Sequence, residues 1–223
     1  MQRLRLRYAK RGRARFASHR DFVRAFERAL RRADVPMAYS SGFNPHPRIS
    51  YANSAPTGAA SEAEYLEIGL AERCDPLAVL DALRGAMPEG LDIVDIVEAE
   101  GGRVGDGLEA SHWRVELPGV TPEALTRAAA TFLAAEHVPT ERMTKHGPRT
   151  FDARADVIAA RVLGSDRVAV LDLVIRHDEP LVRPDDVLRV LESYADDVTP
   201  ADPPRLTRLA QGVLAGETVV SPW

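Results

Sequence analysis

From its third residue the chain alternates strictly. In "RLRLRYA", Leu4, Leu6 and Tyr8 share one face, and Arg3, Arg5 and Arg7 share the other. A period of two predicts a half-buried strand with a basic outer face. After the turn "KRGR", the segment "RARFA" continues the alternation and is expected to extend strand structure. The period then changes. In "SHRDFVRAFERALRRA", Phe22, Val23, Phe26, Ala29, Leu30 and Ala33 fall on one helical stripe, and Ser18 followed by Asp21 marks a capping-box start. Val35-Pro36 ends that helix. "RISYA" and "EYLEIGL" read as strands, Asp75-Pro76 opens the helix "PLAVLDALRGAM", and "LDIVDIVEA" closes the set as a strand. The order is β-α-β-β-α-β, the ferredoxin-like pattern.

Residues 99–110, "AEGGRVGDGLEA", hold four glycines and are expected to link two domains, 1–98 and 111–223. The order then recurs. "HWRVEL" is a strand, and Thr121-Pro122 opens the helix "PEALTRAAATFLAAE". "RMTKHGPRTFDAR" and "VAVLDLVIRH" supply strands around a turn, "PDDVLRVLESYA" a helix and "PRLTRLAQGV" a last strand. "DVIAARVLG" is read as an extra strand or insertion. The fold class expected is α+β, as two tandem ferredoxin-like domains.

Composition is that of a globular protein: 45% of the 223 residues are hydrophobic and 28% charged. No apolar run is long enough to span a membrane, and the start has no apolar segment behind its charges, so a cytoplasmic protein is expected. The single cysteine, Cys74, excludes an intrachain disulfide and a Cys-rich metal site, and reads as an inert, half-buried thiol. No metal or other cofactor is expected, since the six histidines show no i, i+4 or H-x-H spacing and no phosphate-binding loop or hydrolase motif occurs. The pair Glu62 and Glu64, on one strand face, is read as solubilising.

The net charge of −4 hides an asymmetry. Residues 1–48 carry 13 Lys and Arg against three carboxylates, a net of +10, and the other 175 residues carry −14. Such a split points to a polyanionic partner, or else the two halves neutralise each other on folding.

Two features concentrate the chemistry. Arg20, Arg24, Arg28, Arg31 and Arg32 occupy the first helix away from its apolar stripe. Like charges at that spacing cost a few tenths of a kcal/mol per pair. Asp21 beside Arg24, and Glu27 beside Arg31, relieve only part of it. Phosphates would complete such a stripe, and a solvated face is the plain alternative. The second feature is "AYSSGFNPHPRISYA", residues 38–52. Its prolines hold Asn44 and His46 extended, and Tyr39, Phe43 and Tyr51 offer rings for stacking on bases while Asn44 and Arg48 offer donors. At least one of Tyr39 and Phe43 is expected to anchor the loop to the core. His46, or His19, is a candidate for general-base catalysis. In the second half Lys145, His146, Arg149 and Arg154 surround a Gly-Pro turn, as an addition to the basic surface or as a plain hairpin tip. The candidate RNA-binding set is therefore Arg3, Arg5, Arg7, Arg15, Arg20, Arg24, Arg28, Arg31, Arg32, Tyr39, Phe43, Asn44, His46, Arg48, Lys145 and Arg149.

Together these segments resemble the radical-SAM-linked domain of unknown function. Its marks are an R-F-x-S-H-x-D helix start, A-L-R-R-A, Y-S-x-G-F-N-P-H-P and a strand-borne S-x-x-E-Y. They are matched by Arg15, Phe16, Ser18, His19, Asp21, Ala29, Leu30, Arg31, Arg32, Tyr39, Gly42, Phe43, Asn44, Pro45, His46, Pro47, Ser61, Glu64 and Tyr65. The match is dense over residues 3–72. The resemblance implies bacterial cytosolic proteins fused to or encoded with radical-SAM enzymes, near genes for ribonuclease E/G and ribosomal proteins, with no reaction attached. One cysteine cannot hold the radical-SAM cluster, so a partner must supply that chemistry. The tandem outline also resembles CRISPR repeat-RNA endoribonucleases, but "LAQGVLAG" is too thin for the glycine-rich loop they carry near the C-terminus. The expected function is non-catalytic binding of tRNA or rRNA beside a radical-SAM enzyme, in modification or processing. A protein-docking adaptor for that enzyme and a metal-independent endoribonuclease are the alternatives.

Overall fold

The computed structural model describes residues 1–145, 147–165 and 168–223. The chain is α+β and divides into two compact units, Met1–Asp106 and Gly107–Trp223. Among the described residues, no helix is long and apolar enough to cross a membrane.

The first unit runs β1 (Gln2–Lys10), α1 (His19–Arg32), β2 (Ile49–Ala52), β3 (Ala60–Leu70), α2 (Pro76–Ala86) and β4 (Leu91–Glu98). Its strands lie in the order β4-β1-β3-β2, with every pair antiparallel. Leu4, Leu6 and Tyr8 of β1 face the same core as Leu66, Ile68 and Leu70 of β3, and the apolar stripes of α1 and α2 close over them. Burial of that stripe, rather than helix propensity in an arginine-rich segment, is what holds α1 in place.

The segment "RARFA" departs from the strand expected of it. Gly12–Phe16 is a 3-10 turn, with Ala14 N–H donating to the Arg11 carbonyl at 3.0 Å and Ala17 N–H to Ala14 at 2.9 Å. Five residues of alternation fit a 3-10 turn as well as a strand, and Arg11 N–H is fastened to the Gly90 carbonyl at 2.8 Å, which ends β1 there. Residues 99–106 are also more than a tether. Ala99 N–H donates to the Arg3 carbonyl at 2.9 Å, and the Gly101 and Gly102 carbonyls take side-chain bonds from Arg5 and Arg3.

The second unit runs β5 (Ala110–Pro118), α3 (Pro122–Ala134), β6 (Pro139–Thr144), β7 (Gly147–Asp152), β8 (Val157–Ser165), β9 (Val168–Arg176), α4 (Pro184–Tyr194), β10 (Arg205–Ala215) and β11 (Thr218–Val220). Its main strands lie in the order β8-β9-β5-β10, again antiparallel, with β11 folded back on β10. The roles of two segments are exchanged relative to the expectation. "DVIAARVLG" is β8, a member of the main sheet, whereas "RMTKHGPRTFDAR" lies largely in the separate β6–β7 hairpin. Polarity decides this. β8 buries Val157 and Ala159, while Met143 on the hairpin is left 73% exposed and only Phe151 of its two strands is buried.

Candidate nucleic-acid interface

The site begins with how α1 is seated. Ser18 Oγ accepts from the Asp21 N–H at 3.2 Å, and Asp21 Oδ2 accepts from the Ser18 N–H at 3.1 Å and from its hydroxyl at 2.6 Å. These bonds hold the Asp21 carboxyl below its ordinary range, with Arg24 and Arg20 adding a smaller push the same way. Phe22 then stacks on Tyr8 of β1, with ring centroids 4.1 Å apart and planes within 7°, and Phe26 follows at 5.7 Å from Phe22. The stack fixes the helix's rotation about its axis, so the opposite face is turned to solvent.

That face carries Arg20, Arg24, Arg28, Arg31 and Arg32, all exposed. Of the two expected relieving pairs, Asp21 with Arg24 and Glu27 with Arg31, neither closes to ion-pair distance, and Arg24 acts on Asp21 only through space. Asp21 is committed to the cap. Among the described residues, no carboxylate lies within ion-pair distance of Arg20, Arg24, Arg28 or Arg31, and Arg32 donates to the Ala86 carbonyl at 3.2 Å. Several arginines elsewhere are ion-paired, although among the described residues Arg13, Arg48, Arg103, Arg114 and Arg176 are exposed and without an ion pair, like those of α1. Arg11 bonds Glu62 and Asp92, and Arg73, Arg84, Arg127, Arg149, Arg161 and Arg205 each sit beside a carboxylate. Arg20 to Arg31 spans about 16 Å along the helix axis, a length of cationic surface whose nearby carboxylates, Asp21 and Glu27, stand outside ion-pair distance.

The loop after α1 is a zipped arm. Ala38 N–H donates to the Gly69 carbonyl of β3 and Arg48 N–H to Ala38, each at 2.8 Å. Tyr39 bridges Pro47, Ser40 N–H donates to the His46 carbonyl at 2.9 Å, and His46 N–H donates to Ser40 Oγ at 3.0 Å. Beyond that last pair, residues 41–45 are all exposed. Of the two rings expected to anchor the loop, Phe43 is fully exposed and anchors nothing, while Tyr39, 52% exposed, is half covered at the base of the arm. The prolines and the backbone bonds hold the arm. Tyr39 and Pro47 share a pit of about 30 Å³ with Leu30, Arg31, Val35 and Met37, which places the base of the arm beside the C-terminal half of the arginine stripe. Tyr51 lies inside, edge-on to His19 at 4.8 Å and to Phe22 at 6.1 Å, with its hydroxyl buried and unpartnered. Burial first, and the Glu27 charge second, push that phenol well above its ordinary pKa. It supports the helix and offers no face for stacking on a base.

The outer face of β1 is already engaged. Arg3 Nη1 and Arg5 Nε donate to the two oxygens of Glu67, each at 3.1 Å. Arg3 also borders an open polar cleft of about 480 Å³ beside Glu72, Arg73, Glu98 and Glu100, where carboxylates offset the cations. Arg7 is half-buried, its Nε without a hydrogen-bond partner. In the second unit Lys145 lies at the exposed tip of the β6–β7 hairpin, Arg149 pairs with Glu179 at 3.3 Å, and Arg154 is turned inward to the Leu133 and Val157 carbonyls. His146 lies outside the described residues.

His19 Nδ1 lies 3.3 Å from Ser54 Oγ, and the His46 ring stands exposed on the arm. Among the described residues no hydrogen bond or ring contact joins the two histidines to each other or to a carboxylate. Arg15 and Phe16 form a feature that the sequence pattern places on a strand: the Arg15 guanidinium sits 4.7 Å over a Phe16 ring that is 60% exposed. An arginine next to an aromatic just ahead of a helix cap was the available signal. Arg13, exposed on the same turn, is a further cation beyond the expected set.

An α+β protein with a helix face of largely unpaired arginines and an uncovered aromatic tip is thereby defined. The chain belongs to a family of uncharacterized proteins conserved in bacteria (DUF2344), whose model matches residues 3–184. Among solved structures it is similar to an unknown protein from Galdieria sulphuraria, at 13% identity over 96% of this chain and 99% of that one, with a TM-score of 0.27. It is also similar to the first two RRM domains of the yeast poly(U) binding protein Pub1, at 12% identity over 92% of this chain and 98% of that one, with a TM-score of 0.25. At such scores neither likeness bears on fold or function. No curated protein matches.

Proposed function

We propose that this protein binds structured RNA through its first unit, without catalysing a reaction by itself. The observation that carries the reading is the clustering of five exposed arginines on one face of α1, of which Arg20, Arg24, Arg28 and Arg31 have no ion-paired carboxylate among the described residues. Self-repulsion along such a face falls when phosphates approach, and guanidinium forks suit phosphate oxygens. Exposed rings on the arm beside it suit bases. We further propose that each unit is a ferredoxin-like domain, the two in tandem. The support is the shared order: β5-α3-β8-β9-α4-β10 has the same strand arrangement as the first unit, with the β6–β7 hairpin inserted and β11 appended. A radical-SAM enzyme is the partner that the sequence resemblance implies. It would have to bring its own iron–sulfur cluster, since this chain has one cysteine.

The test is binding to bulk tRNA and rRNA across a salt series, for wild type and for Arg20/Arg24/Arg28→Glu. The expected result is affinity that falls steeply with salt, and a variant whose logarithmic salt slope is smaller by about 2 to 3, since each arginine replaced leaves one phosphate fewer neutralised. If wild type binds no better than the variant at any salt, the RNA reading is wrong, and the face is a docking surface for a protein.

A further inference from the structure

The arm and the arginine stripe differ in what they can recognise. The stripe offers charge alone, which any phosphate backbone satisfies. The tip of the arm offers one aromatic ring, fully exposed, flanked by Ser41, Gly42, Asn44 and His46. Gly42 has a φ of +128° and open space around it, so the reversal that presents Phe43 is made at the position that tolerates it.

An uncovered phenyl ring on a backbone-bonded arm is a contact held ready. The bonds from Ala38 to Gly69 and between Ser40 and His46 order the arm before any ligand arrives, which lowers the entropy cost of binding through its tip. The surroundings select the occupant. A ring that anchors a protein–protein contact sits among other apolar groups that exclude water around it. Phe43 has none in residues 41–46 except Pro45. Its neighbours along the arm instead bring an amide, an imidazole and hydroxyls, groups that pair with the donors and acceptors of a base edge. The +10 charge of residues 1–48 favours the same kind of partner.

We infer that the ligand class is an RNA stem bordered by unpaired nucleotides, in which the α1 arginines follow the stem phosphates and Phe43 stacks on an unpaired base whose edge meets Asn44 and His46. The inference rests on the RNA-binding reading above and goes further, because a uniform duplex presents no base face for Phe43 to stack on.

Three fluorescent probes separate the two readings: a blunt RNA duplex, the same duplex closed by an adenine-rich loop, and the loop sequence as a linear strand. Wild type is expected to bind the closed hairpin about ten-fold more tightly than the blunt duplex. Phe43→Ala should abolish that preference, leaving duplex affinity and thermal stability unchanged because the ring touches nothing in the free protein. Phe43→Trp should retain the preference, and the indole fluorescence it adds should be quenched by the hairpin but not by the duplex. The inference is overturned if Phe43→Ala binds the hairpin as wild type does, or weakens hairpin and duplex alike. In either case the RNA-binding reading stands so long as the arginine variant still loses its salt slope. If none of the probes binds wild type at any salt, both readings fall, and the tip belongs to a protein contact.

Discussion

Arg5 and Glu67 face each other across the β1–β3 ladder, and Arg5 Nε donates to Glu67 Oε2 at 3.1 Å while Arg3 takes the other carboxylate oxygen at the same distance. One largely buried carboxylate thus serves two guanidiniums. Removing it strands both charges on a face that is mostly covered, which costs more than the pairing itself contributes. Glu67→Ala is expected to lower the stability of the first unit by about 2 kcal/mol in urea denaturation, a figure reduced because Arg3 remains partly in solvent. Arg5→Ala should leave the salt slope of RNA binding where it is. A reduced slope would show that the sheet face, and not α1 alone, meets phosphate.

Asp186 in the second unit is fully buried at the start of α4. Its Oδ2 accepts from Arg142 Nη1 of β6 at 2.7 Å and from the Arg183 N–H at 2.9 Å. Arg142 also lies 4.9 Å over the Phe151 ring and donates to the Leu181 carbonyl at 3.2 Å, so this pair pins the β6–β7 hairpin. Asp186→Ala is expected to cost about 3 to 5 kcal/mol, seen as a lower denaturation midpoint. Asp186→Asn should cost less, since an amide oxygen still accepts from Arg183. Equal losses for the two variants would mean that the packing matters and the pair does not.

His177 predicts the pH dependence of the second unit. Its Nδ1 lies 2.8 Å from the Leu108 carbonyl and its Nε2 lies 2.6 Å from Ser111 Oγ, an arrangement suited to the neutral ring with Nδ1 protonated. Burial is the larger cause holding its pKa below the ordinary value of 6.5. The Arg208 charge acts the same way, and the Leu108 carbonyl opposes both. The unfolded chain therefore binds the proton first as pH falls. The stabilisation is complete above pH about 6.5 and is lost progressively as pH drops below it toward the folded pKa. Thermal melts from pH 8 to pH 5.5 should show a decline for wild type that His177→Asn, less stable at neutral pH, makes shallower. Parallel declines would assign the effect to other groups.

Gly90 closes the turn before β4 at a φ of +81°, and a Cβ there would lie 2.8 Å from the Arg11 carbonyl oxygen and 3.1 Å from Ala14 Cβ. The Arg11 N–H to Gly90 carbonyl bond fixes both chains, so neither can move aside cheaply. Gly90→Ala is expected to destabilise by about 1 to 3 kcal/mol. An unchanged melting temperature would show that the 3-10 turn can shift to make room.

Some of this was legible in local pattern. The capping box at Ser18, the apolar stripe from Phe22 to Leu30, the arginines opposite it and the stiff proline-rich arm all come from residues within a few positions of each other, and short-range periodicity reads such relations directly. What local pattern could not assign was the state of each charge. Arg3 and Arg5 alternate as regularly as an RNA-facing strand would, yet their partner Glu67 lies more than sixty residues along the chain.

The same limit explains the exchange of β8 with the β6–β7 hairpin. Both read as strands, because backbone propensity does not say which segment's apolar faces will fit a particular sheet. Sequence by itself determined the α+β element order of the first unit and where its cations and rings lie along the chain. Tertiary structure decided which of those cations are neutralised and which rings are covered. Those outcomes depend on side chains brought together only when distant segments close on one another, and they separate Arg24 and Phe43 from Arg5 and Tyr51.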